Sequence, residues 1–183
     1  MKRIFPLIVI IVFLLSIIMT TMSCEKDDIC IEDTVGTPHL IIRFYDAANP
    51  TETKTVPNLQ VESIDAPDPN IPILSATPTD SIAIPLRVLE ETTDITLIND
   101  YGAIDDNGTP SDDTDDIPLQ NEDFIIISYT NQELFISRAC GYKNIFNLQS
   151  FNVTTDTDNW IINSEIINNP VENETNAHIH IFH

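Results

Sequence analysis

Cys24 is the residue whose surroundings most clearly predict covalent chemistry in this chain. It follows two cations, an almost wholly apolar stretch at 5–19 and the small Ser23. The apolar stretch has the length of a signal-peptide core and is shorter than the ~20 residues that a membrane-spanning helix needs. We therefore expect a lipoprotein signal peptide at 1–23, with lipid attached to the Cys24 sulfur as a membrane anchor. An ordinary secretory signal and an uncleaved anchor are the alternatives.

The residues that begin at this cysteine carry a second pattern. Cys24-Glu25-Lys26-Asp27-Asp28 resembles the lipoprotein export signal of Bacteroidetes, which is a cysteine, any residue, a lysine and two acids. The resemblance implies that Lys26, Asp27 and Asp28 direct the protein to the outer membrane, facing the cell exterior. A solvated spacer is the alternative interpretation. We expect 24–38 to form the lipidated N-terminus and its tether.

Two thiols remain once Cys24 is lipidated, and they are Cys30 and Cys140. Outside the cytoplasm, an even pair of cysteines is most simply explained by a disulfide. Closing so long a loop would stabilise the fold by up to roughly 4–5 kcal/mol on the chain-entropy account. Free, catalytic or metal-bound thiols are the alternatives.

A dense acidic segment could offer oxygen ligands to Ca²⁺ around a glycine turn. The candidate calcium ligands are Asp105, Asn107, Asp112, Asp113, Asp115 and Asp116. Their spacing lacks the full alternating series and the final glutamate of an EF-hand, so a solvated loop extended by like charge is the competing interpretation. Apart from this calcium hypothesis, we expect no cofactor.

Histidines near the end of the chain form a second candidate metal site. His178 and His180 are two residues apart and would share one face of a strand. A third ligand from a neighbouring strand would complete a zinc site. Scattered histidines without a metal are the alternative.

Two cations and three aromatic residues are weaker candidates for ligand binding. Arg43 and Arg138 lie within apolar stretches, which favours ion pairing or snorkelling at a sheet edge over ligand binding. Trp160, Tyr129 and Tyr142 could stack on a sugar ring, although positions in the core or at its rim explain them without a ligand.

Short alternating stretches predict that β-strands position these residues. The predicted strands are 39–45, 56–64, 81–86, 94–98, 124–129, 134–140, 151–154, 160–167 and 177–182. Pro85 indicates an edge strand or a strand end. The run at 124–129 is apolar on both parities, as in a central strand covered on both faces, and 130–132 is typical of a hairpin turn.

Strands without intervening helices predict an all-β fold. We expect one antiparallel β-sandwich of about eight strands over 39–183, with a closed β-barrel as the runner-up. Removing 1–23 leaves six Lys and Arg against 29 Asp and Glu, a formal charge of −23. Such a surface repels nucleic acid and anionic lipid headgroups, so neither is an expected partner.

Several enzyme classes lack their motifs in this sequence. The chain has only four glycines, which are too scattered for phosphate-cradling loops. It also has no Gly-x-Ser-x-Gly nucleophile elbow and no His-Glu-x-x-His sequence. We therefore expect no enzymatic activity, although an acid pair acting on a polysaccharide stays open as a less favoured alternative.

Five segments make the chain similar to an uncharacterised family of Bacteroidetes lipoproteins, the domain of unknown function 6452. They are 24–30, 40–46, 80–86, 137–143 and the closing Ile181-Phe182-His183. The resemblance implies an address and an architecture but no activity. We expect an outer-membrane lipoprotein that acts as a binding or interaction module, with an outer-membrane protein or a glycan as its partner. A purely structural envelope protein is the alternative.

Overall fold

The computed structural model describes Cys30 and residues 36–64, 71–108 and 114–183. The predicted signal peptide, Cys24, the export signal Lys26-Asp27-Asp28, and the calcium candidates Asp112 and Asp113 lie outside these residues. No helix in the described part of the chain has the length and hydrophobicity that crossing a membrane would require.

Eleven β-strands make up the regular structure of the described residues. They are β1 Leu40–Tyr45, β2 Val56–Ser63, β3 Leu74–Thr79, β4 Ser81–Ile84, β5 Thr92–Asn99, β6 Ile104–Asp105, β7 Ile117–Pro118, β8 Asn121–Ser137, β9 Gly141–Val153, β10 Asn163–Ile166 and β11 Ile179–Phe182. One sheet has the order β10-β11-β1-β4, a second has the order β3-β2-β5-β8-β9, and β6 pairs with β7 alone. The all-β prediction is confirmed, and no sheet closes into a barrel.

The chain divides into two compact units. Among described residues, one unit contains Cys30 and Phe135–Tyr142. The second of these segments includes the end of β8, the turn that follows it and the start of β9. The other unit runs to Leu134 and resumes at Lys143, and it contains the hydrophobic core. The predicted boundaries at 1–23, 24–38 and 39–183 stay predictions.

Alternating side chains from the two large sheets build that core. Leu40, Ile42 and Phe44 on β1 are fully buried, and so are Ile125 and Ile127 on β8. Because successive side chains of a strand point to opposite faces, each strand gives one apolar row to the space between the sheets. Fully burying one such side chain stabilises the fold by about 1.5–3 kcal/mol. The packing of two faces on one core is that of a β-sandwich.

The four-stranded sheet differs from the predicted antiparallel arrangement in one pairing. β1 pairs with β4 antiparallel but with β11 parallel, in a register that joins Arg43 to His180 and Tyr45 to Phe182. Parallel neighbours need a long connection between them. β1 is the first described strand in the sequence and β11 the last, so the strands between them form that connection.

Two predictions about β8 are wrong. The strand runs without a break through 130–132, and the hairpin turn lies at 138–140. Polar residues at 130–132 can continue the strand because no residue from 130 to 145 is buried in the core. β8 is also not covered on both faces, because Phe124 and Ile126 are 40% and 36% exposed.

Candidate functional site on the four-stranded sheet

The outer face of the four-stranded sheet gathers aromatic, cationic, anionic and amide side chains in two neighbouring rows. The strand register aligns Arg43, His180 and Glu165 in one row and Tyr45, Phe182 and Asn163 in the next. We call these six residues the sheet platform. Its strands place them outside because the intervening Ile42, Phe44, Ile179 and Ile181 are buried in the core.

The charged row places an imidazole between two charges of opposite sign. Burial lowers the pKa of His180, Arg43 lowers it further, and Glu165 acts in the opposite direction. The ring is therefore neutral at pH 7 and offers one N–H donor and one acceptor. Arg43 donates from Nη2 to Oδ2 of Asp80 at 3.2 Å, and this pair is partly exposed to solvent.

The aromatic side chains form a continuous surface across the two rows. The ring centroids of Tyr45 and His180 are 4.3 Å apart, and those of Tyr45 and Phe182 are 5.9 Å apart. The His180 and Phe182 rings lie 6.4 Å apart. All three side chains are half-buried, so they keep an accessible ring surface.

Two open depressions extend the platform at its β10 side. One, of about 300 Å³, is lined by Ala47, Pro50, Ile162, Asn163, Glu165 and Phe182. The other, of about 310 Å³, shares Ile162 and Asn163 and adds the amides of Asn152 and Asn159. Apolar surface beside several amide and carboxylate groups suits a ligand that has both C–H faces and hydroxyl groups.

Asp123 has the perturbed pKa that often marks a catalytic acid, but its contacts are structural. Burial raises the pKa of this fully buried carboxyl group, against the lowering effect of its hydrogen bonds. Oδ2 accepts from the Ile161 backbone N–H at 2.8 Å, and Oδ1 accepts from Nδ2 of Asn159 at 2.9 Å. Both oxygens thus hold the segment that leads to β10, and neither faces the platform.

Only part of the predicted calcium site lies in the described residues. Asp105 and Asn107 belong to a tight turn in which the Asp105 carboxylate accepts from the Asn107 N–H at 3.0 Å. Asp115 and Asp116 lie on the other side of 109–113. Within the described ranges, no three His, Cys, Asp or Glu side chains are grouped to hold a metal ion. The calcium hypothesis stays untested.

The two histidines of the predicted zinc site occupy different surroundings. His178 precedes β11, is 3% exposed, and accepts a hydrogen bond at Nδ1 from the Ile41 N–H at 3.0 Å. Burial lowers its pKa. His180 instead belongs to the platform and stacks near Tyr45. The structure thus gives each imidazole a packing role, and the zinc prediction stays untested.

The remaining sequence candidates are spread over the molecule. Tyr129 is buried, and the Trp160 Nε1–H donates to the Leu97 carbonyl at 3.3 Å beside the core. Arg138 lies in the turn between β8 and β9. Tyr142 is exposed, and its ring lies edge-on to that of Phe135. None of these residues belongs to the platform.

Sequence reasoning missed two of the platform aromatics, Tyr45 and Phe182. The signal was present in the alternation of β1, where Arg43 and Tyr45 share the parity opposite to the core residues. The same alternation in β11 puts Phe182 on the side of His180. Periodicity assigns a face to each residue but does not say which strands are neighbours, so the assembled platform could not be derived.

The predicted disulfide between Cys30 and Cys140 is confirmed. Their Cα atoms are 5.0 Å apart across a sequence separation of 110 residues. Cys140 closes the turn between β8 and β9, where its N–H also bonds to Oγ of Ser137 at 3.0 Å. The bond therefore fixes the start of the chain's described part to the tip of the longest hairpin.

The two facing sheets and their shared core define a β-sandwich protein with an aromatic and polar outer face. The chain belongs to a family of unknown function, DUF6452, whose profile matches residues 58–183. That region begins within β2, so it contains Glu165, His180 and Phe182 but not Arg43 and Tyr45. No curated protein and no solved structure matches the chain significantly.

Proposed function

We propose that the protein is a lipid-anchored, non-enzymatic binding module that holds a neutral glycan on the sheet platform. The observation that carries this proposal is the group of three adjacent rings, Tyr45, His180 and Phe182, on an accessible sheet face. A sugar ring has apolar C–H faces that pack on aromatic rings. Its hydroxyl groups pair with amide, carboxylate and guanidinium groups, which Asn163, Glu165 and Arg43 supply.

The charge of the protein supports a neutral ligand. A mature chain with a formal charge of −23 repels anionic polymers over the range of its field. A neutral glycan pays no such penalty, and the two depressions that share Ile162 and Asn163 give it room beside the rings. Binding and not turnover is proposed because the described acid with a raised pKa, Asp123, uses both oxygens to hold the fold.

The address proposed for this module is the outer face of the outer membrane. It is supported by the apolar leader, by Cys24 and by the resemblance of 24–28 to a Bacteroidetes export signal. Acyl chains at ~0.8 kcal/mol per buried methylene would hold the mature chain on a bilayer. A Cys24→Ser variant expressed in a Bacteroidetes host tests this address. The proposal requires wild-type protein in outer-membrane vesicles with acylated Cys24; recovery of both proteins in the same soluble fraction would contradict it.

The glycan proposal is tested with an array of immobilised neutral and acidic oligosaccharides. We expect the purified protein to bind at least one class of neutral glycan. A Tyr45→Ala, Phe182→Ala double variant should lose that signal while keeping the wild-type circular dichroism spectrum. An empty array, or binding that survives the double substitution, would overturn the proposal.

A further inference from the structure

We infer that the tip of the β8–β9 hairpin contacts the membrane surface, with Phe135 and Tyr142 in the interfacial layer. This inference rests on the proposed lipid anchor at Cys24. It concerns the unit that contains Cys30 and Phe135–Tyr142, which is separate from the sheet platform.

Two exposed aromatic side chains lie close together among the described residues of this unit. The Phe135 and Tyr142 side chains are 53% and 62% exposed, and their ring centroids are 5.2 Å apart in an edge-on arrangement. They flank a tight turn that includes the exposed cation Arg138 and ends at Gly141, whose φ of 71° suits a residue without a side chain. The tip thus presents two large rings and a positive charge within eight residues.

The disulfide fixes how far this tip can lie from the proposed anchor. Cys140 in the turn is bonded to Cys30, which is only six residues after Cys24 in the sequence. Even a fully extended chain spans at most about 3.6 Å per residue, so six residues reach roughly 22 Å. Another 5.0 Å separates the Cα atoms of Cys30 and Cys140, so an acylated Cys24 would keep Cys140 within roughly 27 Å of the lipidated residue.

The chemistry of the tip matches the layer that it would meet. Aromatic side chains with one polar end are enriched at membrane–water interfaces, and tyrosine is among the commonest of them. An arginine beside them can extend its guanidinium toward lipid phosphates while its stem lies along apolar surface. Water is the less favourable environment for two adjacent exposed rings, since burying their surface lowers the free energy by about 25 cal/mol per Å². The occupant that we assign to this surface is thus the bilayer that carries the anchor.

Quenching by lipid bromine atoms tests the inference on the full lipidated protein. The chain has one tryptophan, Trp160, so wild type supplies the background emission. A Tyr142→Trp variant is reconstituted with phosphatidylcholine vesicles that contain brominated acyl chains. A Tyr101→Trp variant is the matched control, because Tyr101 is an exposed tyrosine of the other unit. We expect the added emission of Tyr142→Trp to be quenched several-fold more strongly than that of Tyr101→Trp.

Vesicle flotation of the same samples separates the two proposals. Protein that does not float lacks the anchor, which would overturn the proposed address and this inference together. Protein that floats with equal quenching in the two variants would overturn the membrane contact alone. Cys30→Ser with Cys140→Ser, added to Tyr142→Trp, should reduce the quenching and leave flotation intact. Unchanged quenching after removal of the disulfide would mean that the bond does not hold the tip at the membrane. That outcome would contradict the inference.

Discussion

The rings of Tyr45 and His180 lie 4.3 Å apart, centroid to centroid, on two strands that run parallel. Their contact exists because β1 and β11 are neighbours in the four-stranded sheet, although 135 residues separate these two rings in the sequence. The parallel register puts Phe182 opposite Tyr45 and Arg43 opposite His180. The surface that we assign to ligand binding is thus assembled by the pairing of the first and last described strands.

Protonation of one buried and two half-buried histidines should make the fold less stable below neutral pH. Burial lowers the pKa of His178, His180 and His183 from their ordinary value of 6.5. The unfolded chain then binds more protons than the folded one just below pH 6.5. Their contribution to stability is therefore fully present above pH 6.5 and is lost as the pH falls through the lowered folded-state pKa values.

A His178→Gln variant isolates one of these groups. The glutamine oxygen can still accept the hydrogen bond that the Ile41 N–H now gives to Nδ1 of His178. We expect its free energy of unfolding, from urea titrations between pH 7.5 and 5.5, to fall less steeply than that of wild type. Asp123 acts in the opposite sense, because burial raises its pKa, but both proteins keep it and its effect cancels in the comparison. Identical slopes in the two proteins would refute the assignment.

The Tyr129 hydroxyl should be a large source of stability. It lies 2.7 Å from Oγ1 of Thr93, accepts from the Arg87 N–H at 2.9 Å and donates toward the Arg87 carbonyl. A Tyr129→Phe substitution leaves the buried Thr93 and the partly buried Arg87 backbone with fewer hydrogen bonds, which costs roughly 1–3 kcal/mol. Tyr101→Phe, at an exposed tyrosine, is the control and should change stability by less than about 0.5 kcal/mol. Equal urea midpoints for the two variants would contradict this role.

The disulfide should contribute to the stability of the folded chain. Replacing Cys30 and Cys140 together by serine frees the unfolded chain from a cross-link between residues 110 apart. The chain-entropy account gives a loss of up to roughly 4–5 kcal/mol. Calorimetry of the double variant against wild type measures it, and wild type with a reductant serves as the second comparison. A double variant that melts at the wild-type temperature would disprove the contribution.

Local pattern predicted much of the fold but not its pairings. Alternation placed β1 and its inward residues correctly, and Pro85 correctly marked a strand that ends at Ile84 on a sheet edge. The turn of the long hairpin was misplaced because polar residues in an exposed part of a strand look like a turn. β3 was missed since it contains Pro78, which an edge strand tolerates.

The assembly of the candidate site could not be predicted, because it too depends on which strands are neighbours. Arg43 and His180 each stood out in the sequence, one as a rare cation and the other as a metal candidate. Nothing local indicates that the strand of one lies beside the strand of the other, because that neighbour relation depends on the packing of the whole sandwich. The disulfide was predictable because the expected lipidation of Cys24 leaves two cysteines, and two cysteines allow one pairing.

Glycan binding by two phenylalanine variants compares the two outer faces of the sandwich directly. Phe182 belongs to the platform on the four-stranded sheet, and Phe124 is an exposed phenylalanine on the outer face of the five-stranded sheet. Isothermal titration uses the neutral oligosaccharide that gives the strongest array signal. We expect Phe182→Ala to weaken binding by roughly tenfold, about 1.4 kcal/mol, and Phe124→Ala to leave the affinity unchanged. Equal affinities for Phe182→Ala and wild type, or a loss confined to Phe124→Ala, would contradict the assignment of the platform as the binding surface.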